Sequence, residues 1–124
     1  MIRGTVNARL EAIIRLTVFG PTGAEIEIDT IIDSGFTGSL VLPPTLIAAL
    51  GLVKRSGGTA TLADGSVKNF ETFSAEIEWK GVRRRIVVSA VGNEALAGMV
   101  LLASHRLCME VVSGGRVEID SLIP

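Results

Sequence analysis

The sequence predicts a mainly β protein of one domain, residues 1–124, with one or two short helices. Three observations carry that expectation. The chain is 48% hydrophobic yet holds four Phe, one Trp and no Tyr, so its core must be largely aliphatic. Val, Ile and Leu of that kind suit pleated, half-buried surfaces. Apolar residues alternate with charged ones over long stretches, and Gly- or Pro-containing turn signals separate those stretches. A length of 124 residues is enough for one domain and short for two.

The elements follow in order. LEAIIRLTVF reads as a strand, GPTG as a turn, and AEIEIDTIID as the strand that leaves it. In the second run Ala24, Ile26, Ile28, Thr30 and Ile32 alternate with Glu25, Glu27 and Asp29, so one face is buried and the other wet. Ile31 and Ile32 break the alternation, which predicts burial on both faces just before Asp33. PPTLIAALGL predicts a short helix: Pro44 suits its first turn, Leu46, Ala49 and Leu50 share a face, and Gly51 stops it. Beyond it, Asp64-Gly65 and Lys80-Gly81 are turn signals between runs of β type. LAGMVLLASHRLC predicts a second short helix from near Gly98, with Cys108 as a small hydrophobe near its end. MEVVSGGRVEI predicts a closing hairpin turning at Ser113-Gly114-Gly115.

Charge and composition exclude several classes. Twelve basic and thirteen acidic residues leave a net charge of −1, which argues against nucleic acid as a partner. The Arg83 to Arg85 run lies between valines and isoleucine and reads as an edge or solvated strand. One Cys and one His allow neither an internal disulfide nor a Cys/His metal cluster, so no metal or other cofactor is expected. No apolar run reaches the roughly 18 residues of a membrane span. The charged N-terminal stretch lacks the apolar block of a secretion signal, so a soluble cytoplasmic protein is expected.

The chemistry concentrates in IDTIIDSGFTGSLVLP, residues 28–43. A strand ends there in a carboxylate, Asp33, followed by a tight loop that Gly35 permits. Asp-Ser-Gly by itself also describes an Asx-type turn. Its setting is more specific, with a β-branched run before it, Gly38 after it, and an apolar-Gly-apolar element about sixty residues on. One carboxylate does little hydrolytic work alone, whereas two sharing a proton can activate water and polarise a carbonyl. No second Asp of the chain has an equivalent context.

This constellation resembles the aspartic proteases of the retropepsin-like clan, nearest to a bacterial and archaeal branch whose signature begins Asp-Thr-Gly-Phe. The matching residues are Ile31-Ile32-Asp33-Ser34-Gly35-Phe36-Thr37-Gly38, followed by LVLP, and later Leu96-Ala97-Gly98-Met99-Val100-Leu101-Leu102. The resemblance covers roughly residues 10–112 and implies an acid-protease barrel with a β-hairpin flap. It implies that Asp33 is the catalytic aspartate and that Ser34, in place of the usual Thr, offers its hydroxyl across a dimer axis. Gly35 would bring its N–H to the carboxylates, and Gly98 would pack behind the loop near Phe36 and Thr37. The hairpin tip Ala63, Asp64, Gly65 and Ser66 would bind substrate. Val100 departs from the Asp or Asn that relatives often carry, and the flap Tyr of pepsin-like relatives is absent.

The resemblance thus implies an aspartic endopeptidase acting on peptide or protein substrates as a homodimer, each chain giving one Asp33. Ile32, Phe36 and Leu101 are expected near the two-fold axis, and the terminal segments MIRGTV and VEIDSLIP are expected to add strands at the interface. The alternative is a catalytically inactive dimer of the same fold, serving as a peptide-binding or assembly module. A small β-barrel interaction domain, with Asp-Ser-Gly only a turn, is the remaining reading. His105 as base to a nucleophile finds no strand-turn-helix motif to serve.

Overall fold

In a computed structural model, which describes residues 1–61 and 64–122, the chain is 55% strand and 6% helix, so the mainly β expectation holds. The described elements are β1 (Ile2–Val6), β2 (Ala12–Phe19), β3 (Glu25–Ile32), β4 (Leu40–Leu42) and α1 (Pro44–Leu50). They continue as β5 (Val53–Thr61), β6 (Val67–Trp79), β7 (Val82–Ala90), β8 (Leu96–Ala97), β9 (His105–Met109) and β10 (Arg116–Ser121).

Strand order is β5-β6-β7-β4-β8-β3-β2-β1-β10-β9, with a further pairing of β6 to β2. That last pairing, Val18 opposite Ile77 and Phe19 opposite Glu76, closes six strands into a barrel. Two strands make closure possible by serving different neighbours along their length. β2 pairs β1 through Ala12–Ile14 and β6 through Val18 and Phe19. β6, thirteen residues long, pairs β5 through its first part and reaches β2 near its end. Closure removes exposed edges from the ring.

Alternation fills the interior. Ile14, Leu16 and Val18 of β2, Leu40 and Leu42 of β4, and Ile77 and Val88 of β6 and β7 are buried together. Their polar neighbours point outward because successive strand side chains face opposite ways. Helix α1 begins at Pro44 and ends at Gly51, whose φ of 64° is the left-handed conformation that glycine adopts at little cost. Its buried residues are Ile47 and Leu50, whereas Ala49, expected on the same inner face, is exposed.

The second helix does not form. Residues 98–104 make a compact turn in which Leu102 N–H donates to Gly98 O at 3.3 Å, and Ser104 then takes φ 66°. That left-handed residue ends any helical run, and pairing with β10 draws His105–Met109 into a strand. Cys108 therefore stands exposed on β9 rather than at a helix end. Three positions apart on a strand, His105 and Cys108 face opposite sides, which removes their pairing as base and nucleophile. His105 instead accepts from Trp79 Nε1–H at 3.2 Å and bonds Ala103 O through Nδ1 at 2.8 Å. With Nε2 accepting, the proton sits on Nδ1.

One further expectation changes, and one holds in part. β1 pairs both β2 and β10, and β10 pairs both β1 and β9, so in the strand order these terminal strands lie inside the sheet rather than at its edge. Arg83 to Arg85 pair only with β6, but the stretch is not simply solvated. Arg83 lies 3.8 Å over the Phe19 ring, and half-buried Arg84 donates to Leu101 O at 3.1 Å. No helix among the described residues is long and apolar enough to cross a membrane.

Candidate active site

Asp33 is the first residue after β3, and the barrel grips β3 on both edges up to that point. β2 runs antiparallel along one side, while Ile31 and Ile32 pair Leu96 and Ala97 of β8 in parallel on the other. β8 also pairs β4, so it lies between the strands that the Asp33–Ser39 loop joins. The loop is thereby laid across the chain segment that leaves β8. Asp33 N–H donates to Ala97 O at 2.9 Å and Gly98 N–H to Ser39 O at 2.9 Å. Met99 N–H donates to Phe36 O at 2.8 Å and Val100 N–H to Gly38 O at 3.1 Å. Two segments far apart in sequence thus satisfy each other's backbone groups.

Glycine at position 98 follows from that contact. A Cβ there would stand 2.8 Å from Phe36 O and closer still to Gly38 O, with no room to shift. The Phe36 ring packs over Gly38 as well, so Phe36 fills the space that two missing side chains leave. Gly35 acts differently: its N–H donates to Asp33 Oδ1 at 2.9 Å. This is the Asx turn that the short motif alone describes. The turn and the strand-end carboxylate coexist, because the bond uses Oδ1 and leaves the rest of the half-buried group facing outward.

A cleft of about 950 Å³ opens beside Asp33. Gly35, Phe36, Thr37 and Gly38 contribute one side, and Thr59 and Phe70 of the β5–β6 hairpin contribute another. Val41, Ser89, the connector residues Val91 to Glu94, and Leu96 complete it. Asp33, Gly35, Phe36, Thr37 and the supporting Gly98 are therefore brought together, with Ser34 exposed at the adjoining surface. Asp64, Gly65 and Ser66 stand exposed at the hairpin tip and do not line the cleft. Ala63 lies outside the described residues. At the tip, Asp64 Oδ1 accepts from Ser66 Oγ at 2.6 Å and from Ser66 N–H at 2.9 Å. Those bonds to the charged form, the hydroxyl's foremost, hold the Asp64 carboxyl below its ordinary range.

The wall residues Thr59, Phe70, Ser89, Asn93 and Glu94 were not among the sequence candidates. Of these, Asn93 and Glu94 carry a sequence signal, the polar, glycine-containing VGNE break between a β-type run and the Leu96-Ala97-Gly98 element. Leu101, expected near a dimer axis, is buried in the chain's own core. Its neighbours Met99 and Val100 are the exposed apolar side chains beside the loop, 47% and 51% accessible. Among the described residues no group of three or more His, Cys, Asp or Glu side chains could share a metal ion.

Fold and site together define a closed β-barrel that presents a strand-end carboxylate at the floor of an open cleft. Comparisons with family models, with curated proteins and with solved structures find no match to this chain.

Proposed function

We propose that the protein is a retropepsin-like aspartic endopeptidase, active as a homodimer in which each chain contributes Asp33. The observation that carries this reading is the Asp33–Ser39 loop bound by backbone hydrogen bonds to residues 97–100 beside a cleft of about 950 Å³. That arrangement holds a carboxylate by rigid strands while leaving it open to a ligand. An Asx turn needs neither the second segment nor the cleft.

In the dimer the two Asp33 carboxylates share one proton. The ionised one takes a proton from water as it attacks the peptide carbonyl, and the protonated one polarises the carbonyl oxygen. Ser34, exposed next to Asp33, supplies the hydroxyl that reaches the partner loop. Met99 and Val100 give the surrounding face an apolar character that suits a second copy. A peptide lies extended between the Asp33 loop and the hairpin, whose arms carry Thr59 and Phe70.

The test is cleavage of a mixed peptide library by wild type and by Asp33→Asn. Asparagine keeps the shape and hydrogen-bonding size but cannot accept the water proton, so cleavage should vanish while the fold stays intact. Activity of the variant within a few-fold of wild type would remove Asp33 from the chemistry.

A further inference from the structure

The cleft is apolar along Phe36, Val41 and Phe70, yet its described lining includes two charged side chains, Asp33 and Glu94. Both are acidic, and no Lys, Arg or His joins them among the described lining residues. Asp33 has a role in the proposed reaction; Glu94 has none. It forms no ion pair among the described residues. Its backbone is nevertheless anchored. The connector that carries it is tied at both ends, Val91 N–H donating to Leu42 O at 3.4 Å and Ala95 O accepting from Ile31 N–H at 2.9 Å. Ile31 lies two residues before Asp33 on the same strand, so the barrel sets Glu94 and Asp33 in one frame.

Glu94 also borders a second, smaller depression of about 480 Å³, shared with Arg9, Glu11 and Asp29. Arg9 stands there beside Glu11, and Asp29 is paired with Arg15 at 3.4 Å, so Glu94 is the carboxylate of that lining left over once the cations are matched. We infer that Glu94 selects substrates carrying a basic side chain, Lys or Arg, next to the apolar residues that occupy the cleft walls. This rests on the peptide-cleaving reading of the same site and names its substrate class. Two-fold symmetry would bring one Glu94 to each side of the axis, so the preference falls on both sides of the scissile bond. Because Glu94 is exposed, the pair it forms is screened and modest, worth about three- to fivefold in affinity at low salt.

The experiment uses peptides with a reduced, uncleavable central bond in a Val/Ala/Leu background, each carrying either Lys or Gln at one position. Binding is measured by calorimetry to wild type, Glu94→Gln and Glu94→Lys, and cleavage of the matching ordinary peptides is followed separately. A Lys-over-Gln preference of about three- to fivefold in wild type, falling as salt is added, is expected at one or more positions. Glu94→Gln should erase it, and Glu94→Lys should turn the preference toward peptides carrying Glu. Equal binding of Lys and Gln peptides, a preference that survives Glu94→Gln, or no binding of either set would overturn the assignment. Cleavage without charge preference would sink the role of Glu94 and spare the peptidase; preference without cleavage would do the reverse.

Discussion

The floor of the cleft and the hairpin beside it are built by opposite means. Behind the Asp33 side of the cleft, core residues Leu40, Leu42, Ala97 and Leu101 are fully buried, and the Asp33 loop is bound by backbone bonds to a distant segment. In the hairpin, residues 53–57 of β5 are exposed and pair with β6 alone. Its side-chain ties are superficial: Lys54 to Glu71 at 3.0 Å and Ser56 to Thr72 at 3.1 Å. Residues 67–71 of β6 pair with β5 and not with β7, so the outer part of the hairpin is a two-stranded ribbon, marginally stable by itself. The contrast separates two jobs. The barrel fixes a reactive group without freedom, and the ribbon offers a wall whose backbone can adapt to a ligand at small cost.

Glycine substitutions break that contrast most forcefully. Gly98→Ala drives a methyl into Gly38 O and the Phe36 ring, which neighbouring backbone cannot yield, so the loss should be about 3 kcal/mol. Gly65→Ala meets nothing within 4 Å and suffers only from its φ of 85°, so about 1–2 kcal/mol is expected. Urea denaturation of both variants ranks them, and an equal or reversed order would dissolve the distinction between floor and hairpin.

A smaller effect sharpens the hairpin side. The folded Asp64 carboxyl titrates below its unfolded value, so whatever the Asp64–Ser66 turn contributes is present above the ordinary carboxylate range. It fades as pH falls through the folded value. Carbon-detected titration should place the Asp64 midpoint below that of a model peptide, and Ser66→Ala should move it up. An unmoved midpoint would mean that the hydroxyl bond at 2.6 Å does not form in solution.

Much of this was legible in the sequence because local patterns and tertiary structure agree. The alternation of β3, the Pro44 start and Gly51 stop of α1, and the Asp33 to Gly38 loop all state their geometry in short windows. The failures share a cause. LAGMVLLASHRLC has helical spacing, but strand pairing with β10 outweighs it beyond Ser104. Barrel closure rests on two residue pairs between β2 and β6, which no local pattern encodes. The same holds for Glu94 and Phe70, which reach the cleft through connections made elsewhere in the chain. The closing hairpin of β9 and β10 is legible in its Gly-containing turn, whereas the pairing of β1 with β10 joins the two ends of the chain and no local pattern states it.

The central claim is that two Asp33 carboxylates, one from each chain, act on one water. The most direct measurement mixes wild type with a ninefold excess of Asp33→Asn after subunit exchange and follows peptide cleavage per wild-type chain. Random pairing leaves about one-tenth of wild-type chains with a competent partner, so activity should fall to about one-tenth. Activity per wild-type chain that stays constant across the titration would show that one Asp33 suffices, and the two-carboxylate account would be wrong.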